Sequence, residues 1–282
     1  MPLRQRTGST VCPGCGTLVG VNDEVCYSCG RRNPALWGFS PLLRNLGRDL
    51  GATNIITVAC VGVYLATLVA TAGHSDGAFG LSPDALSLFL FGASGSLPVF
   101  QYGRWWTVLS AGWLHAGVIH ILLNMYSFRQ LAPPTIDFYG PARTVIIFVL
   151  GSAAGFLLSS LAGHFLWWMP FRFLRGADLT VGASAGIFAL IGALAYYGRR
   201  TGSSAVRTFI TSNAVIWILW GVLMPGIDNY AHAGGFLGGY AASRMMDPLT
   251  RERVDHMILA LGCLAISAIA IVASFVVGIP TR

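Results

Sequence analysis

Apolar residues run through this chain in stretches of about 20, the length an α-helix needs to cross a bilayer, with short polar breaks between them. Seven spans are predicted: Thr53–Ala72, His115–Leu131 (closed by Pro133-Pro134), Ala142–Gly163, Gly182–Gly198, Val206–Met224, Asn229–Met245 and His256–Gly278. Between the first two lies a long segment, His74–Leu114, too polar to span but carrying apolar patches at Leu86–Phe91 and Trp105–Val108. The pattern divides the chain into a polar module over 1–34, a linker or interfacial segment over 35–52, and a membrane domain over 53–278. In the linker, Trp37 and Leu42 fall on the apolar side and Arg44 and Arg48 on the polar side.

Composition agrees with the pattern. Hydrophobic residues make up 54% of the 282 positions and charged residues 10%, against about 25% charged in an ordinary soluble domain. So little charge cannot coat a soluble globule, and a water-soluble enzyme is excluded. The net charge of +7 comes from arginine alone, for there is no lysine. These arginines flank apolar runs, which argues for topology rather than nucleic-acid binding. With the amino terminus inside, only Arg104, Arg172, Arg175 and Arg282 of the 18 basic residues fall outside. That asymmetry predicts a multi-pass cell-membrane protein with a cytoplasmic amino terminus and an extracytoplasmic carboxyl terminus. The second, fourth and sixth spans then all begin at the outer face. No cleavable signal peptide is expected, since residues 1–50 hold no compact apolar stretch.

The amino-terminal module contains Cys12-Pro13-Gly14-Cys15-Gly16 and Cys26-Tyr27-Ser28-Cys29-Gly30. Two residues between cysteines form a tight turn that aims both sulfurs at one point, and the glycine that follows permits the twist. Two such knuckles offer four thiolates at tetrahedral corners, the arrangement Zn²⁺ prefers. The pattern resembles a short zinc ribbon. Four sulfurs leave no open coordination position, so the expected Zn²⁺ is structural, and no cofactor is expected for catalysis. The ribbon either folds around its metal alone or also holds a cytoplasmic partner. Cys60 and Cys263 lie within apolar runs and read as small hydrophobes.

A polar side chain within a span is costly and points to function. Three clusters occur, each at the start of an outer-face span: His115 to Asn124, Gly182 to Phe188, and Ala231 to Gly239. Helical spacing puts His120 and Asn124 one turn apart on the same face, and His115 about 140° from His120, toward a different contact. Gly235 and Gly239 form a G-x-x-x-G packing seam. Helices pressed together there would bring His232 beside Ser184, and a serine hydroxyl bonded to imidazole is an activated nucleophile. His120, Asn124 and the Ser184 backbone N–H are the candidate oxyanion donors. Phe188, one turn below Ser184, is placed to stack on His232. Asp228 is the one candidate for a third member and is expected at the aqueous boundary, so the constellation reads as a dyad. H-E-x-x-H is absent, and the aspartates sit at span edges, which argues against metalloprotease and aspartyl mechanisms.

These residues resemble the rhomboid family of intramembrane serine proteases. The similarity covers about residues 53–278 and rests on Trp105-Trp106, His115…His120…Asn124, Gly182-x-Ser184, and Ala231-His232 with Gly235 and Gly239. It implies an all-α polytopic membrane protein, a six-helix core plus one carboxyl-terminal helix. It implies Ser184 as nucleophile, His232 as general base, His120 and Asn124 in the oxyanion hole, and transmembrane segments of other proteins as substrates. Three departures are visible. Thr107 follows Trp106 where arginine is frequent, leaving Arg104 as the expected interfacial anchor of the loop. Ala185 replaces a usual glycine after the serine, which brings a methyl group toward the oxyanion pocket. Phe188 stands where tyrosine is the other common choice. The rival readings are a rhomboid-like pseudoprotease that binds transmembrane helices without cutting them, and a seven-span transporter. The first conflicts with the retained serine and histidine, the second with the lack of an internal repeat.

Overall fold

A computed structural model describes residues 4–40, 51–71, 81–171, 174–212 and 226–278. The amino-terminal module is built on a two-stranded antiparallel sheet, β1 (Ser9–Val11) and β2 (Leu18–Gly20), with Thr10 opposite Val19. Cys12 and Cys26 form its small core with Val19. Of the linker, residues 41–50 with Leu42, Arg44 and Arg48 lie outside the described residues, while Trp37 is exposed.

The rest of the described residues are mainly helical. α1 (Ala52–Ala70) is followed by a short α2 (Ala85–Phe91), whose Asp84 cap accepts the Ser87 N–H. A π-helical turn (Leu97–Gln101), a single-turn α3 (Thr107–Ser110) and a 3-10 turn (Ala111–Trp113) complete the long first loop. Then come α4 (Val118–Tyr139), α5 (Pro141–Phe165), α6 (Ser184–Thr201), α7 (Asn229–Met245) and α8 (Val254–Val277). Residues 204–212 are helical. Most of the predicted fifth span, with Trp217 and Trp220, lies outside the described residues, as does His74.

α1, α5 and α8 are each long and apolar enough to cross a membrane, and α3 to α4, bent by 91°, would make a fourth span if counted together. α6 and α7 do not qualify by that measure. α7 has only 17 residues, and α6 ends in Arg199 and Arg200. Most of α6 is buried among other helices, so glycines, serine and tyrosines need not meet lipid.

Glycine sets the centre of the bundle. A Cβ added at Gly235 or Gly239 of α7 would strike the Ala185 or Ala189 carbonyl of α6. One at Gly151 or Gly155 of α5 would strike the Ala189 methyl or the Ala231 carbonyl. The three helices therefore meet backbone to backbone, as small residues in membrane helices allow. The Ala185 methyl faces Gly155 of α5.

Two further expectations are corrected. Pro133-Pro134 do not end the helix, which runs on to Tyr139. The carbonyls these prolines leave unbonded belong to Arg129 and Gln130, which are exposed. The far end is held by packing and by the Tyr139 hydroxyl, which donates to the Ala193 carbonyl at 2.9 Å. Arg104 is no interfacial anchor but is wholly buried. Its guanidinium donates to the Phe89 and Ser274 carbonyls at 3.0 and 2.7 Å and lies over the Phe89 ring.

Candidate active site

Ser184 is the first residue of α6, where the leading N–H groups have no partner within the helix. The two N–H groups before it are already used. Gly182 donates to the Ala111 carbonyl at 3.0 Å, and Ala183 donates to His115 Nε2 at 3.5 Å. The serine turn is thus hung from the first loop, and the Ser184 N–H is the next donor in line.

Gly182 adopts φ +135°, and a Cβ there would lie 2.8 Å from His120 Nε2 and 3.7 Å from Ser184 Oγ. The missing side chain is what lets the His120 ring and the serine hydroxyl border one space. His120 Nδ1 accepts the Ala116 N–H at 3.3 Å. A neutral imidazole with Nδ1 as acceptor carries its proton on Nε2, so His120 presents an N–H donor to that space. Asn124 is buried, and its Nδ2 donates to the His120 carbonyl at 2.9 Å. One of its two amide hydrogens is therefore committed to its own helix and the other remains.

His115 has a contact of its own in the Ala183 N–H, and it also meets His120. Its ring packs edge-on to His120 with centroids 5.3 Å apart. The helical-wheel angle does not govern it, because α4 begins only at Val118 and His115 precedes it. Fully buried beneath the serine turn, it is a supporting residue that spacing did not single out.

His232 lies in the first turn of α7, whose cap is Asp228. The Asp228 carboxylate accepts the Ala231 N–H at 2.9 Å and the Ser159 hydroxyl of α5 at 2.5 Å. Asp228 is half-buried and ties the His232 turn to α5. The His232 ring stacks on Phe188, with centroids 4.2 Å apart and planes 11° apart. Ser184 and His232 are both half-buried. Among the described residues no hydrogen bond joins the two side chains directly. Such bonds are often long in unliganded enzymes and tighten around substrate.

The second constellation is in the amino-terminal module. The four sulfurs of Cys12, Cys15, Cys26 and Cys29 lie within 4.8 Å of one another, with Cys12–Cys29 at 3.7 Å and Cys15–Cys26 at 3.6 Å. Four sulfurs at about 2.3 Å from one Zn²⁺ stand about 3.8 Å apart at tetrahedral angles. Each knuckle closes through a backbone bond, Gly16 N–H to Cys12 O and Gly30 N–H to Cys26 O, both at 2.9 Å. Hydrogen bonding to Thr17 lowers the Cys15 pKa to about 6, so this thiol is ionised at neutral pH. At Cys29 a backbone bond near Arg31 acts downward, but the adjoining Cys15 sulfur pushes it up to about 12. Four sulfurs so close cannot all ionise unaided; the group suits a bound cation.

The rhomboid family model, described as Rhomboid domain, matches residues 102–249. RHOMBOID-like protein 4 of Arabidopsis thaliana is 30% identical over 164 residues, 57% of this chain and 39% of that protein. Rhomboid protease GluP of Bacillus subtilis is 29% identical over 167 residues, 58% of this chain and 30% of that protein. Rhomboid-like protease 5 of Toxoplasma gondii is 31% identical over 164 residues, 56% of this chain and 18% of that protein. The chain thus aligns with less than half the length of each of these relatives.

Proposed function

The chain belongs to the rhomboid family, and from that premise we propose that it is an intramembrane serine endopeptidase using a Ser184–His232 dyad. The observation that carries this reading is the meeting of α6 and α7 at Gly235 and Gly239, with His232 stacked one turn below Ser184 on Phe188. In the proposed reaction His232 takes the Ser184 proton as Oγ attacks the scissile carbonyl. The oxyanion is held by the His120 Nε2–H, the Ser184 N–H and the free Asn124 amide hydrogen. His232 returns the proton to the leaving amine, and water releases the acyl group. Substrates are transmembrane segments of other proteins, reached within the bilayer.

The proposed setting is seven spans in the cell membrane, the amino terminus cytoplasmic and the carboxyl terminus outside, on the arginine asymmetry. The cysteine module binds one structural Zn²⁺ and supplies no catalytic group. The rival reading, a pseudoprotease, draws on the absent direct bond between Ser184 and His232. Labelling with a fluorophosphonate probe, with mapping of the modified residue, separates the two. The protease reading expects labelling at Ser184, lost in Ser184→Ala and His232→Ala together with cleavage of a single-span reporter. A folded wild-type protein that neither labels nor cleaves rejects it.

A further inference from the structure

The family match stops at residue 249, leaving α8 and the cysteine module outside it. These two outlying parts are joined to each other. Arg31 follows the second knuckle, and its Nη1 and Nη2 donate to the two carboxylate oxygens of Asp255, both at 2.5 Å. Asp255 lies in the first turn of α8, and that turn is itself held. The His256 ring accepts the Arg253 N–H at 3.1 Å, and the Arg253 carbonyl accepts the His256 N–H at 3.0 Å. The preceding linker is fixed by Arg143, which donates to the Asp247 and Thr250 carbonyls at 2.8 and 2.9 Å. Glu252 accepts the Arg143 N–H at 2.8 Å at the start of α5. α8 therefore rises from a clamped base.

From Asp255 to Ser274 the helix climbs about 28 Å, and at Ser274 it meets the first loop. The Ser274 hydroxyl accepts Trp106 Nε1–H at 3.0 Å, and its carbonyl accepts Arg104 Nη2–H at 2.7 Å. The next ring, Phe275, packs edge-on to Phe91 at 5.4 Å. Arg104 is fully buried, so no water replaces these bonds if they break. α3 follows directly from Trp106, and just beyond it the Ala111 carbonyl accepts the Gly182 N–H, two residues before Ser184. One continuous set of contacts runs from the cysteine module to the serine turn.

We propose that Ser274 is a positioning residue for the first loop, and that α8 is the strut through which docking of the cysteine module sets that loop. The consequence for catalysis rests on the protease reading; the mechanical coupling does not. The test is hydrogen exchange by mass spectrometry on the full chain in lipid nanodiscs, with reporter cleavage followed in parallel. Arg31→Gln and Asp255→Asn are expected to raise exchange at 250–260 and also at 104–113, by about threefold to tenfold, the factor one lost hydrogen bond supplies. Ser274→Ala raises exchange at 104–113 alone, and Ser274→Thr, which keeps the hydroxyl, does not. Cleavage falls in kcat rather than KM. If Arg31→Gln loosens 250–260 and leaves 104–113 unchanged, or alters neither, the coupling is wrong. Coupled exchange in a wild-type protein that never cleaves would retain the strut and reject the protease.

Discussion

The imidazole of His232 lies flat on the ring of Phe188, centroids 4.2 Å apart. A stack fixes the plane of the imidazole and leaves both nitrogens free for protons. Aromatic pairs contribute about 0.5–1.5 kcal/mol beyond their buried area, so Phe188→Leu is expected to lower kcat by up to about tenfold. Phe188→Tyr, which keeps the ring, stays near wild type. Steady-state cleavage of a transmembrane reporter is the measurement, and an unchanged kcat in Phe188→Leu rules out an orienting role.

The glycine seam makes a stability prediction. Gly235→Ala and Gly239→Ala each set a methyl group against a backbone carbonyl of α6, which cannot rotate away. Overpacking of this kind costs about 1–3 kcal/mol. Thermal unfolding in detergent should show both variants less stable, and activity should fall more in Gly235→Ala, whose clash is at Ala185 beside Ser184. Wild-type stability in both would mean the helices are not as closely packed as described.

The proposed oxyanion donors differ in how committed they are. His120 directs an N–H toward the space beside Gly182, whereas Asn124 already gives one hydrogen to the His120 carbonyl. Removing a preorganised donor costs about 10²–10³ in kcat. His120→Ala is expected in that range and Asn124→Ala below it. Equal losses in single-turnover assays would contradict this ranking.

Glu252 gives a pH dependence. Burial raises its pKa above the ordinary 4.5, and the Arg143 N–H bond and charge only partly offset this. The folded protein therefore binds that proton more tightly than the unfolded chain. The resulting stability is complete below about 4.5 and is lost as pH climbs through the raised value. Relative to Glu252→Gln, wild type should gain stability as pH falls from 7 toward 4.5. Melting curves of the pair across that window check the sign; a parallel pair of curves refutes it.

The cysteine module predicts about one zinc per chain in gently purified protein, lost in the Cys12→Ser, Cys15→Ser double variant. Elemental analysis decides this, and a metal-free wild-type protein rejects the site.

Much was legible in the sequence because each signal is local or carried by period. Apolar runs gave the helices, and the helix Asn229–Met245 has the bounds of the sixth predicted run. The two C-x-x-C strings foretold the sulfur cluster, since a knuckle is a property of five consecutive residues. The spacing of Ser184 and Phe188, one turn apart, anticipated the ring that meets His232.

Other features depend on partners far apart in the chain. Ser274 sits in an apolar helix, and only packing brings it to Trp106. Arg104 reads as a surface anchor, yet two distant carbonyls and a ring make its burial tolerable. Asp228 and Ser159, like His115 and Ala183, pair across elements. A sequence fixes which side chains a helix can show on one face. Which face meets which is settled by where backbones can approach, and here that was decided by glycines opposing alanines on three separate helices.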